Sequence, residues 1–397
     1  MSIKIEKKKA RRFLVQFHSL NSYSKLSGKQ GVIDYIKRVG CIQYDPLNVV
    51  GRNSDLVLRA RVNRYKPDFL QSLLYDDRKL IDGWDKMMSI YHVEDWPRMA
   101  ETRKEAKEGI PRVLEHRKSL AALDALDEIR EELNRRGPLR AGQIKLGSVT
   151  PGPLGHRNVA GAAMDYMYRS GELSVHSKVN TQKVYDFTRN LLPPGIVDDN
   201  GFLPYEEFLP WYCTRRIGSV GLLWDKRSPA WFGTYIGDQN VRQAVLEQLE
   251  SEKQIFRVEI DGIQESFYVR AQDLDLLMSV DTSLTSTSRI LAPLDNLLWD
   301  RAMIKAIFGF EYSWEVYIPQ HNRKYGYYVL PVLFKDAFVA RVELNKKRDD
   351  GKLNIVNWWW EEGVPKTKVL KTEITKELIR FAHYLSLSGI PSDFCLE

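Results

Sequence analysis

The chain has 397 residues, room for two to four domains at about 100–200 residues each. Hydrophobic residues make up 43% and aromatic residues 11%, the balance of a folded protein, which excludes a disordered or fibrous one. A net charge of +7, from 59 basic and 52 acidic residues, suits a polyanionic partner without requiring one.

In chain order, residues 7–18 read as a helix, with Ala10, Phe13, Leu14 and Phe17 on one face, and residues 28–39 as a second. Residues 54–62 read as a third, carrying Arg59 and Arg61, and Pro67 opens a fourth. Two short strands follow, 79–81 and 87–91. Residues 95–115 are a charged helical connector. Then come helices at 120–135, 139–144 and 158–169, with a loop at 149–153, and strands at 172–176 and 183–187. The order recurs with helices at 206–216 and 240–250 and strands at 253–259 and 266–269. A two-stranded ribbon behind a helix-turn-helix is a winged helix, and three such stretches read as a repeat of architecture rather than three unrelated α+β segments. After a helix at 297–308, strands are expected at 314–318, 326–334, 337–344 and 353–360. A basic hairpin joins the first two, at residues 319–324, a basic turn lies at 346–351, and a helix at 372–384 closes the chain. The fold class is α+β: winged helices at 1–95, 120–190 and 200–285, a connector at 96–119, and a β-rich portion at 286–397.

No apolar run reaches the ~20 residues of a membrane helix, and the basic N-terminus lacks the apolar stretch of a signal peptide. Cys41, Cys213 and Cys395 are odd in number and far apart, which argues against a thiolate zinc site and for a reducing compartment. The expectation is a cytoplasmic monomer with no membrane partner, no metal and no cofactor.

Two features carry candidate chemistry. In Gly40-Cys41-Ile42-Gln43-Tyr44-Asp45-Pro46, an amide and a carboxylate stand two residues apart, stiffened by proline, between two helical patterns. The bland reading is a helix terminus capped by an aspartate. The other reading is a catalytic pair. Basic residues are spread over the repeats: Arg52, Arg59, Arg61 and Arg64 near the third helix, and Arg323, Lys324, Lys346, Lys347 and Arg348 on the C-terminal turns. Each run taken singly reads as a solvated face, but on winged helices such residues contact phosphates. The run Trp358-Trp359-Trp360 reads as core packing before base stacking.

Gln43-Tyr44-Asp45, with Asn48 and Val50-Gly51-Arg52 and then residues 55–61, resembles the motif of the YcaQ/AlkZ-type crosslink-repair DNA glycosylases. Pro293-Leu294-Asp295, Trp299-Asp300-Arg301, Phe308, Tyr312 and residues 325–331 are similar to that family's C-terminal signature, so the resemblance covers nearly the whole chain. It implies three tandem winged helices plus a β-rich portion in a C-shaped clamp on double-stranded DNA. It implies Gln43 and Asp45 as the catalytic residues of a base-excision repair enzyme acting on alkylated or interstrand-crosslinked purines. From their place on the winged helices and C-terminal turns, Asn48, Arg52, Arg59, Arg61, Arg323 and Lys324 are the expected DNA contacts. One departure stands out: where many members carry an aromatic, one residue and then His-Glu-Ala, this chain has Trp84-Asp85-Lys86-Met87-Met88.

A single carboxylate is chemically sufficient for one class of substrate. Ordinary glycoside hydrolysis uses two carboxyl groups, one of them to protonate the leaving group. An N7-alkylated purine is already cationic and leaves without a proton. Asp45 can then stabilise the oxocarbenium-like sugar and orient water, with Gln43 holding the same water through an amide that donates and accepts. No lysine nucleophile is implied, which makes the expected enzyme monofunctional. The alternative is a non-catalytic winged-helix DNA-binding protein, a regulator or repair accessory. Tyr44 is expected to point into the core, leaving Gln43 and Asp45 on one exposed side, and His92 is expected at a partly exposed strand end.

Overall fold

The structure is a computed structural model that describes residues 2–21, 25–116, 120–146, 158–198, 201–280, 284–346 and 350–396. Ala10, Phe13, Leu14 and Phe17 recur at helical spacing, and Lys7–Phe17 is a helix that buries all four. The same logic holds for Gly28–Val39, with Val32, Tyr35, Ile36 and Val39 buried. Helices and sheets alternate along the chain, an α+β fold as expected. Among the described residues no helix is long and apolar enough to cross a membrane.

Contacts divide the chain into two units: residues 1–70 with 210–397, and residues 71–209. The first therefore assembles from both ends of the sequence. Its first sheet has four strands, with Ile3–Ile5 running parallel to Ile255–Ile260, then Phe267–Arg270 and Leu223–Trp224. Its second is antiparallel, in the order Ser288–Ile290, Val329–Phe334, Ala337–Asn345 and Asn354–Trp360. The helix Lys368–Tyr384, capped by the Thr367 hydroxyl accepting from the Leu370 N–H, packs on this second sheet at Ser288–Ile290.

The second unit is continuous in sequence. The hairpin Leu80–Trp84 and Met88–His92 leads to the helix Ala100–His116. The helices Leu126–Arg136 and Val159–Arg169 follow, and then the hairpin Leu173–Val179 and Gln182–Phe187. Ile110, Leu114, Ile129, Leu133, Met164, Met167 and Leu173 form its apolar core. The helix expected over 120–135 is interrupted at Ala125, which separates Ala121–Asp124 from Leu126–Arg136. The expected helix at 139–144 is a 3-10 turn, Ala141–Gln143. The expected loop at 149–153 and the basic residues Lys347 and Arg348 lie outside the described residues.

Two expectations fail in the C-terminal part. Residues 314–318 are not a strand: Glu315–Tyr317 is a 3-10 turn. The basic stretch 319–324 is not a hairpin but a second 3-10 turn, Gln320–Asn322, opened by Pro319. The cause is Glu315, whose buried carboxylate accepts the backbone N–H groups of Lys324, Tyr325 and Gly326 at 3.1, 2.9 and 3.2 Å. Those bonds fold the chain back on itself, where apolar alternation alone suggested a strand. The N-terminal strand Ile3–Ile5 had no counterpart among the expected elements, because three residues are too short to show a period.

Candidate active site

Gln43 ends a three-residue strand, Cys41–Gln43, in the first unit. Gly40 lets the chain enter this strand with φ +77°, and a Cβ there would sit 2.9 Å from the Arg215 side chain. Arg215 donates to the Gly40 carbonyl at 2.8 Å. The Asn296 amide donates to the Cys41 carbonyl at 2.9 Å and to that of Ser219 at 3.1 Å. The Asn53 amide donates to the Gln43 carbonyl at 2.9 Å, while its oxygen accepts from the Leu294 N–H at 3.0 Å. Three side chains thus hold the carbonyls of the segment leading to Asp45. Buried polar groups need such partners, and these specify one position for the strand.

Asp45 follows, half-buried, with Pro46 exposed beyond it. Its Oδ1 accepts the Leu47 N–H at 2.8 Å, a local turn that fixes the carboxylate's direction. This is an Asx turn and not the helix cap of the bland reading, since the next helix begins at Asn53 with Arg52 at its N-cap, and it orients the carboxylate without removing it from solvent. Burial raises the Asp45 carboxyl above the ordinary carboxylate range, and the Leu47 N–H pulls against that shift. Tyr44 is buried as expected, but so is Gln43, with 8% of its surface exposed. The two residues do not share an exposed side. Of the pair, Asp45 is the one that reaches solvent.

The expected DNA contacts separate into two groups. Asn48 is exposed. Arg52 is partly exposed, and its Nε donates to Asp55 at 2.6 Å. Lys324 is exposed and Arg323 half-buried. Arg59 and Arg61, expected on an open helical face, are buried instead. Arg61 makes a two-pronged pair with Asp295 at 2.8 and 2.7 Å, donates to the Val57 carbonyl, and lies 4.8 Å from the Tyr35 ring. Arg59 donates to Glu377 and to the Ile290 carbonyl, both at 2.9 Å, and lies 4.4 Å from the Phe381 ring. Helix Asn53–Arg59 is buried along its whole length, so Arg59, and Arg61 just beyond its end, point to carboxylates in the C-terminal sequence rather than to water.

The C-terminal signature has the same structural use. Asp295 holds Arg61 and caps a short turn at Leu297. Asp300 caps the helix Arg301–Phe308 at Met303 and accepts the Trp224 indole N–H at 2.5 Å. The Tyr312 hydroxyl donates to the Val329 carbonyl at 2.8 Å. The Trp358–Trp360 run is half-buried on its strand rather than fully in the core. Trp358 packs edge-on to Trp360 at 5.4 Å, and Trp359 edge-on to Tyr325 at 5.5 Å.

Residues that the sequence did not single out complete the site. Asn53 and Asn296 hold the strand. The loop 314–328 brings Tyr317, and Tyr328 of the C-terminal signature, into the electrostatic reach of Asp45: burial raises the Tyr328 phenol, partial desolvation that of the largely exposed Tyr317, and the Asp45 charge raises both further. Asn53 could have been found from its place directly after Arg52. Tyr317 had no local signal.

In the second unit, the departing residues form the turn of the hairpin Leu80–Trp84 and Met88–His92. The Asp85 N–H donates to the Met87 carbonyl at 3.0 Å. Asp85 and Lys86 are buried and Met87 is exposed. The Trp84 ring lies 4.1 Å from the Arg169 guanidinium. His92 is at a strand end but buried, and its Nδ1 accepts the Glu94 N–H at 3.3 Å, so it caps the next turn.

The DNA glycosylase AlkZ-like family model matches residues 36–384. The fold is similar to that of Streptomyces sahachiroi DNA glycosylase AlkZ, with a TM-score of 0.60 at 13% identity, over 98% of this chain and 99% of that one. The resemblance read from Gln43-Tyr44-Asp45 and the C-terminal signature is borne out, and the chain belongs to the AlkZ-like DNA glycosylase family.

Proposed function

We propose that this protein is a monofunctional DNA glycosylase that hydrolyses the N-glycosidic bond of N7-alkylated, bulky or crosslinked purines in double-stranded DNA. The observation that carries this reading is the oriented, half-buried carboxylate of Asp45 at the end of a strand whose carbonyls are held by Arg215, Asn296 and Asn53. A preorganised charge of this kind is where rate is gained. The cationic purine leaves with the electrons of the bond from C1′, becoming neutral. Asp45 stabilises the positive charge that develops on the sugar. Water then adds through its oxygen to C1′, and Asp45 takes up or relays the released proton. In this proposal the largely buried Gln43, two residues before Asp45, still offers its amide to the same water. Asn48, Arg323 and Lys324 contact phosphates in this proposal, with Arg52 braced by Asp55. The three helix–hairpin stretches are read as winged helices that hold the duplex.

The test is release of base from a duplex containing N7-methylguanine or an N7-linked crosslink, read as strand cleavage at abasic sites after heat or alkali. Loss of release in Asp45→Asn supports the assignment. Release that survives Asp45→Asn combined with Gln43→Ala removes these residues from the mechanism. Tight binding to one DNA sequence, with no base released from any lesion, favours the non-catalytic reading suggested by the altered turn at residues 84–88.

A further inference from the structure

The most exposed large hydrophobic side chain described is Tyr317, at 82%. A solitary exposed tyrosine ordinarily carries no message. Three observations set this one apart. It lies in the electrostatic reach of the Asp45 carboxylate. Its ring is braced from one side by Trp314, edge-on at 5.7 Å, and Trp314 in turn packs on the buried Tyr328 at 6.3 Å. The loop that carries it is knit internally: Glu315 accepts three backbone N–H groups, and Arg323 Nε donates to the Ile318 carbonyl at 2.8 Å. An aromatic ring that is both open to solvent and held by its own loop needs little further ordering when it meets a flat partner.

We propose that Tyr317 is the specificity-determining residue of this site, its ring being the face on which a cationic purine stacks while Asp45 serves the sugar. This inference rests on the glycosylase reading above and names the feature of the substrate that the site selects. The face of an aromatic ring attracts cations, and base–aromatic stacking is worth having for any base. An N7-alkylated purine carries a positive charge that an intact purine lacks, so an electron-rich ring beside a carboxylate favours the lesion over normal bases. A tyrosine phenol is neutral at working pH, so the ring meets the lesion as a neutral aromatic face. The cations of the same loop sit over other rings, with the Arg323 guanidinium 5.0 Å from Tyr327 and the Lys324 ammonium 5.1 Å from Tyr325. They are available to phosphates while Tyr317 takes the base.

The experiment is single-turnover release of N7-methylguanine from a duplex oligonucleotide by the full-length protein, comparing wild type, Tyr317→Phe and Tyr317→Ala. Binding to the undamaged duplex and thermal melting are measured for each. The expected result is a rate lowered about tenfold or more in Tyr317→Ala, a wild-type rate in Tyr317→Phe, and unchanged melting and undamaged-duplex binding in both. Equal rates for Tyr317→Ala and wild type overturn the inference. So does a Tyr317→Phe as slow as Tyr317→Ala, which would assign the effect to the hydroxyl. Weakened binding of Tyr317→Ala to undamaged DNA, in proportion to its rate, overturns it in favour of a general DNA contact. A wild-type protein that releases no base overturns the glycosylase reading first and this inference with it, and that failure is seen before any variant is compared.

Discussion

In the unit built from residues 1–70 and 210–397, charged and polar groups buried in the interior tie positions far apart in sequence. Arg59 meets Glu377 across 318 positions, Arg61 meets Asp295 across 234, and Asn296 reaches the Cys41 carbonyl across 255. In the unit of residues 71–209, the core is an apolar cluster from neighbouring helices. Its polar links are shorter in range, such as Lys178 with Asp82 across 96 positions and Arg130 with Glu172 across 42. The Lys178–Asp82 pair is buried, but Arg130 and Glu172 are both about one-third exposed, at 38% and 31%. The difference teaches where geometric specificity is placed. Apolar cores tolerate substitution of similar volume. Buried polar groups demand one arrangement, and here they surround the strand that presents Asp45.

The largest expected effect is on the first unit's charge pairs. Asp295→Ala leaves the Arg61 guanidinium buried beside Tyr35 without its carboxylate. The expected loss is about 3–5 kcal/mol, read as a lowered midpoint in urea unfolding. A loss below about 1 kcal/mol would mean that the buried pair can be replaced by water or rearrangement, and the contrast between the units would collapse.

Next in size is Asp45→Asn, which tests function apart from stability. Base release is expected to fall by about 10²–10³, while stability stays within about 0.5 kcal/mol of wild type or above it. The amide oxygen can still accept from the Leu47 N–H. The pH dependence has a defined sign. The Asp45 carboxyl is raised by burial, so its ionised form, which the reaction uses, is lost on acidification at a pH above the ordinary carboxylate range. Its own contribution to folding runs the other way: the protonated form favours the fold, and that contribution is lost as pH rises through the raised value. A pH–rate profile with its acid limb in the ordinary carboxylate range would contradict the placement of Asp45.

Asn53→Ala sharpens the comparison, because it removes the hydrogen bond to the strand at Gln43 and the one from Leu294 that braces it, and touches no substrate. About 1–3 kcal/mol of stability is expected to go, with a drop in base release measured well below the melting midpoint, where the protein is still folded. An unchanged rate there would show that the strand position does not depend on this bridge. The smallest effect is expected in the second unit. Arg130→Ala breaks a partly exposed pair with Glu172 and should cost at most about 1 kcal/mol by thermal melting, and less in high salt.

Much of this architecture was legible before any coordinate. Helical periods placed Lys7–Phe17, Gly28–Val39 and Val159–Arg169, and paired β-branched runs around turns placed three hairpins. The misreadings share a cause. Residues 314–324 looked like a strand and a basic hairpin because apolar alternation is a local signal, while the Glu315 carboxylate that folds them acts across nine to eleven positions. Arg59 and Arg61 looked like a solvated face because their carboxylate partners lie hundreds of residues away.

By itself, the sequence determined the elements, the mixed α+β class and the stretch Gln43-Tyr44-Asp45 as the place to look. Spacing of apolar side chains, proline and glycine act over a few residues and can be read there. Only the tertiary structure decided that Gln43 is buried while Asp45 reaches solvent, that two expected DNA-contacting arginines are internal, and that Tyr317 lies within the field of Asp45. Those outcomes depend on which distant groups desolvate or neutralise a side chain, and burial and charge pairing belong to the folded chain, not to any segment of it.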